Sequence, residues 1–91
     1  MNSLMYLEAE GFYTLANLLN GEKIVLSKSI KLIEYIVNSN LIFRAHCSYV
    51  INVKFAKRFY RDLYSITLTN EIELPLSRMR YDGFLKSVKL I

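Results

Sequence analysis

The sequence predicts a mainly β domain built of antiparallel sheets, with one clear helix over about residues 28–38 and a short C-terminal helix. Three observations carry that reading. Apolar and polar residues alternate with period two through most of the chain, the pattern of half-buried strands. Turn-forming pairs, Asn20-Gly21 and Asn70-Glu71, fall between strand-like runs. The period becomes helical in KSIKLIEYIVN (28–38) and again after Arg80.

The elements follow in order. LMYLEAE (4–10) is a first strand ending in the acids Glu8 and Glu10, and Gly11 breaks it. FYTLANLL (12–19) is a second strand, rich in residues that fit a pleated surface. At Asn20-Gly21 both residues tolerate positive φ, so a type I′ turn is expected, returning EKIVLS (22–27) antiparallel to residues 12–19. In the helix, Ile30, Ile33 and Val37, with Leu32 and Ile36, make a wide apolar stripe, while Lys28, Lys31 and Glu34 stay outside. Ser27 or Ser29 can cap its start, and Asn38-Ser39-Asn40 stops it. LIFRAH (41–46) and SYVINV (48–53) resume strand composition, and KRFYR (57–61) suits an edge strand. YSITLT (64–69) and IELPLS (72–77) form a second hairpin in which Pro75, lacking an N–H, belongs at an edge or where the ladder ends. RYDGFLKSVKLI then sets Tyr81, Phe84, Leu85 and Val88 at helical spacing. Neither an internal repeat nor a linker interrupts the chain, so residues 1–91 are expected to form one domain.

Length and composition narrow the class. Ninety-one residues suffice for one modest core and not for two. A hydrophobic share of 53% against 22% charged residues indicates a globular rather than a disordered chain. No apolar run approaches the roughly 20 residues that span a bilayer. MNSLMYLEAE lacks the basic start and apolar centre of a secretory leader, which points to a cytoplasmic protein without a membrane partner. The one cysteine, Cys47, has no internal disulfide partner and fits a reducing compartment. The net charge of +4 is unevenly spread: residues 1–43 carry three lysines against four glutamates, residues 44–91 nine cationic against four acidic side chains. A positive half favours a polyanionic partner; the plainer reading is a merely basic soluble protein.

Catalysis finds little support. In FRAHCSYVINV (43–53), His46 beside Cys47 suggests a thiolate–imidazole pair, but strand neighbours point to opposite faces, so the two are not expected to meet. Glu8 with Glu10 and Glu71 with Glu73 read as solvated strand ends rather than acid–base pairs. One His and one Cys fall short of a metal-ligand set, and Gly11, Gly21 and Gly83 are too scattered for a phosphate loop. The expectation is no enzyme, no cofactor and no metal.

A binding module fares better. Lys23, Lys28, Lys54, Arg78 and Arg80 stand beside turns and element ends, where flexible cations reach phosphates. Tyr13, Tyr49, Tyr60 and Tyr81 interleave them, although most such tyrosines are ordinary amphipathic sheet residues.

From YLEAEG (6–11) through FRAHCSYVINV to IELPLSR (72–78), the chain resembles the LytTR DNA-binding domain of bacterial response regulators. The ordered landmarks are an acid-ended strand, an NG-type turn, a Ser-led helix, the block F-R-x-H-x-S-Y-x-x-N and a hairpin ending L-P-x-S-R; they cover about residues 4–88. The resemblance implies an elongated stack of antiparallel sheets whose loops enter successive major grooves of double-stranded DNA, giving sequence-specific transcription regulation. Carried over by position, Tyr13, Cys47 and Arg78 or Arg80 are base-contacting, with the choice between the two arginines open. Lys28, Arg44, His46, Ser48, Lys54 and Ser77 are phosphate-contacting or loop-supporting, and Asn52 reads as a turn or capping residue.

Two positions depart from the family. Where relatives commonly carry a longer polar residue, Cys47 offers a thiol that cannot form a bidentate pair, which implies van der Waals contact with a thymine methyl instead. Tyr13 is likewise not the usual polar choice. A module of this size makes a limited interface, so two copies on direct repeats are expected, monomeric in solution and paired on DNA. The family context implies a receiver domain upstream or a sensor-kinase pathway; neither fits in 91 residues, so an excised domain or a stand-alone regulator is expected. The alternative is a protein–protein interaction module using an exposed patch of Phe12, Tyr13, Phe55 and Phe59. RNA binding is a weaker third reading.

Overall fold

Residues 3–89 are described in the computed structural model of the chain. The strands are β1 (Leu4–Glu10), β2 (Tyr13–Leu18), β3 (Lys23–Leu26), β4 (Ile42–His46), β5 (Tyr49–Asn52), β6 (Ala56–Tyr60), β7 (Ser65–Leu68) and β8 (Glu73–Pro75). Helix α1 (Ile30–Val37) follows β3, and α2 (Tyr81–Lys89) is the last described element. Short 3-10 turns occupy Val53–Phe55 and Arg78–Arg80. The last two residues of the expected terminal helix, Leu90 and Ile91, lie outside the described residues.

All strand pairings are antiparallel, in a five-stranded sheet of order β3-β2-β1-β5-β4 and a three-stranded sheet of order β6-β7-β8. Period-two alternation divides the large sheet into two faces. Leu7, opposite Val50, points with Ala16 toward Ile30 and Ile33 of α1. Tyr6, opposite Ile51, points the other way, joining Ala45 against Ile66, Leu68 and Leu74 of the small sheet, Leu76 just after β8 and Phe84 of α2. The second face holds the larger core. Each fully buried Leu, Ile or Phe there contributes roughly 1.5–3 kcal/mol relative to exposure.

Local signals account for most boundaries. Ser29 Oγ accepts the Leu32 N–H at 3.2 Å and starts α1, and Asn38 ends it in a left-handed conformation (φ 40). Pro75 sits on the edge strand β8. Asn52, 1% exposed, accepts the Lys54 N–H and donates from Nδ2 to the Leu4 carbonyl at 2.8 Å, capping the first 3-10 turn while clamping β5 to β1.

The turn at Asn20-Gly21 differs from the type I′ expectation. Gly21 N–H donates to Leu18 O, Leu18 N–H donates to Glu22 O, and of the pair Gly21 alone has positive φ (91). This is a three-residue loop with a left-handed third position. Asn20 stays out of the left-handed region because its Oδ1 takes the Glu22 N–H at 2.9 Å, holding the chain locally. The 68–72 turn repeats the design: Glu71 N–H to Leu68 O, Leu68 N–H to Ile72 O, Asn70 Oδ1 taking the Ile72 N–H, and Glu71 at φ 69 where the other loop has glycine.

Candidate functional site

At one end of the large sheet, several turns are fastened by main-chain bonds. Gly11 and Phe12 connect β1 to β2, so Tyr13 stands opposite Glu10 at the very start of its strand. Ala9 N–H donates to Ser48 O at 2.8 Å, tying this turn to the one between β4 and β5. Ser77 N–H donates to Ala45 O at 2.7 Å, bringing in the segment after β8. Fully buried Thr14 donates its hydroxyl to Lys28 O at 2.8 Å, which sets the approach to α1 beside Tyr13. Leu76 N–H to Tyr64 O adds the β6–β7 connection. The segments bearing Tyr13, Lys28, Cys47 and Ser77–Arg80 thus form one rim.

Arg44 braces its centre. Its side chain is 15% exposed; Nε donates to His46 O at 3.0 Å, Nη2 to Cys47 O at 2.7 Å, and Nη1 to Glu34 of α1 at 3.0 Å. The guanidinium fork suits two turn carbonyls and a carboxylate at once. Arg44 therefore acts on the turn's shape.

His46 and Cys47 do meet, contrary to the strand-based expectation. The ladder slips between Arg44 and His46, so Ala45 enters the core while His46 pairs with Tyr49, its ring centroid 6.0 Å away. A bulge re-aims a side chain in this way. Cys47 lies beyond the strand, in the turn, which frees Sγ to approach His46 Nδ1 at 3.5 Å. Nδ1 also accepts the Ser48 N–H at 3.2 Å, and Ser48 Oγ lies 3.8 Å from Sγ. Cys47 is exposed.

The two arginines after Pro75 separate. Side chains of a 3-10 turn splay about 120° apart. Arg78 lies over the Tyr64 ring at 5.3 Å, next to Tyr81, which carries Arg61 at 5.7 Å and meets Tyr64 edge-on. Arg80 instead lines a groove of about 480 Å³ with Lys31, Arg44 and Cys47. Ser77 and Met79 complete its wall, and Glu34, paired with Arg44, is its one acid. Sequence reading missed Lys31 here, though its i, i+3 spacing from Glu34 placed both on one helix face. It also missed Tyr64 and Arg61, for which no local signal exists.

Lys54 is not brought to this rim. It follows the other end of β5, where its ammonium lies over Phe55 at 5.4 Å. The aromatic patch suggested for a protein partner does not assemble: Phe12 and Tyr13 are exposed on the rim, Phe55 is buried in the core, and Phe59 packs against Phe84 and Tyr81. Burial first, and then the Glu8 carboxylate, pushes the Tyr49 hydroxyl above its ordinary range, keeping it protonated at neutral pH. Among the described residues no three His, Cys, Asp or Glu side chains group to hold a metal ion, and no helix is long and apolar enough to cross a membrane.

Comparison with known proteins places this geometry. The chain matches the family model of the LytTr DNA-binding domain over residues 1–89. Solved structures match as well; among them is one described as the LytTr DNA-binding domain of a methyl-accepting/DNA response regulator from Bacillus cereus. It is 26% identical, with a TM-score of 0.83, over 96% of this chain and 82% of that one. A search of curated proteins finds no match.

Proposed function

The chain belongs to the LytTR DNA-binding domain family, and from that premise we propose that it binds double-stranded DNA sequence-specifically to regulate transcription, without catalysis. The turns of the rim enter successive major grooves, and two copies, monomeric in solution, occupy direct repeats. Residues 1–91 act as one module in the cytoplasm, under a receiver domain or a sensor-kinase pathway. The observation that carries the reading is the convergence of Tyr13, Cys47 and Arg80, far apart in sequence, on turns locked together by main-chain bonds. Rigid placement of readers matters because base edges accept hydrogen bonds only in narrow geometries. Tyr13, Cys47, Arg80 and Arg78 face the bases. Lys28, His46, Ser48 and Ser77 meet the backbone or support the turns, Arg44 holds the central one, and Lys54 lies apart.

The test is selection from a random duplex library at ~150 mM salt, followed by anisotropy titration of the enriched sequence against scrambled DNA. Specific DNA binding predicts at least about a 10³-fold preference and an affinity that falls steeply with salt. Equal binding to both duplexes would sink the reading.

A second reading keeps one observation in its favour. Val25 and Ile36 are exposed on β3 and α1 and, with Leu26 and Ile33, line a groove of about 330 Å³. A protein partner seated there would bind with little salt dependence, which separates the two readings in one titration series.

A further inference from the structure

We propose that Met79, with Cys47 beside it, reads thymine through its C5 methyl group, so that part of the sequence preference comes from apolar contact; this rests on the DNA-binding reading above.

The starting point is exposure. The two most exposed large apolar side chains among the described residues are Phe12 at 97% and Met79 at 93%, and both stand on the rim. Single exposed apolar residues are common on protein surfaces and carry no meaning alone. Met79 differs in its surroundings. It is the middle residue of the Arg78–Arg80 3-10 turn, between two cations, and it lines the same groove as Cys47, Arg80 and Lys31. Positive charge on both sides draws a polyanion to this spot, while the methionine itself offers no donor to a phosphate.

What an apolar tip can recognise on a duplex follows from base chemistry. In the major groove only thymine presents a methyl; every other distinguishing feature is a donor or an acceptor. Methionine is unbranched and polarizable, so it adapts to a small apolar protrusion. The thiol of Cys47 is a weak donor with no bidentate geometry, and its carbonyl is held by Arg44, so the turn presents Sγ on a fixed backbone. Cys47 and Met79 therefore make two apolar sides of one groove whose other walls carry Lys31, Arg44 and Arg80, with Ser77 and the Arg44-paired Glu34. Arg80, in that same groove, is placed to take a phosphate or a neighbouring guanine while the methyl is gripped.

The experiment uses the 91-residue chain and the duplex it enriches from a random library. Each thymine is replaced singly by deoxyuridine, which removes the methyl and leaves the pairing and groove hydrogen-bonding groups unchanged. The expected result is at least one position where the replacement weakens binding about fourfold, the effect of one buried methyl. Met79→Ala should abolish that sensitivity and Cys47→Ser should reduce it, whereas Arg80→Ala should weaken binding yet retain it. Because Met79 is so exposed, its alanine variant should keep the wild-type urea midpoint, so a folding defect cannot mimic the result. Binding that tolerates deoxyuridine at every position, or a deoxyuridine effect undiminished in Met79→Ala, overturns the methyl-reading inference while leaving DNA binding intact. A library from which no duplex is enriched overturns the DNA-binding reading, and this inference with it.

Discussion

Away from the rim, Lys57 and Arg58 close on Glu71 in the asparagine-built 68–72 turn. On the rim Lys28, Lys31, Arg61, Arg78 and Arg80 enter no ion pair with any described residue. Both regions are made of turns between antiparallel strands, so secondary structure does not distinguish them. The difference lies in what the cations have opposite them. Paired charges in solvent contribute little stability and little long-range field. Unpaired cations on one rim concentrate the field of a chain whose net charge is only +4. Net charge alone thus understates how polarised the surface is.

Five variants break or sharpen that contrast. The largest effect is expected from Arg44→Ala, which strips the central turn of its brace and leaves two carbonyls and Glu34 without their partner. Urea unfolding should show a loss of about 2–3 kcal/mol, and affinity for every duplex should fall together; unchanged stability would mean the turn does not need its brace. Arg80→Ala should leave stability within about 0.5 kcal/mol while costing about 1–3 kcal/mol of discrimination on the selected duplex. Lys54→Ala, at the other end, should leave both affinity and salt slope where they were, and a slope reduced by about 1 would extend the interface to that end.

Gly21→Ala tests whether the asparagine-built turn after β2 is purely structural. At φ 91 an added Cβ is strained, and about 1 kcal/mol of stability should go with no change in DNA affinity. The smallest change in stability is expected from Glu71→Gln. The hydrogen bond from Lys57, with the added charges of Lys57 and Arg58, holds the Glu71 carboxyl below its ordinary 4.5. A carboxyl whose folded value is depressed stabilises the protein above the unfolded value and loses that contribution as pH falls through the folded one. The wild type should therefore exceed Glu71→Gln slightly in urea midpoint at pH 7, and the gap should shrink as pH falls below 4.5 and close once it has passed the lower folded value; a gap that persists in strong acid would assign the effect to the backbone turn instead.

How far these features could be read in advance depends on how local their causes are. The Ser29 cap, the stop at Asn38, Pro75 on an edge and the capping by Asn52 each follow from a side chain acting within a few residues, and all were legible. The conformation at Asn20-Gly21 was not, because two loop designs share that dipeptide and Asn20's own side-chain bond selects between them. The meeting of His46 with Cys47 was hidden by a single slip in the β4–β5 ladder, which inverts the strand rule just where it was applied. Phe55 was misplaced on the surface because its burial comes from Ile66, Leu68 and Phe84, all more than ten residues away.

By itself the sequence determined the antiparallel β class, the element order, the caps and the motif string of the family, since each depends on short-range preference or on periodicity. Only the tertiary structure decided which cations stay unpaired, that Arg78 rests on Tyr64 while Arg80 lines the groove with Cys47, and that Lys54 stands apart. Those outcomes depend on register and on packing between segments brought together by the fold, as Cys47 and Arg80 are. No local rule encodes them, because a shift of one residue in a single ladder would exchange the faces on which the side chains lie.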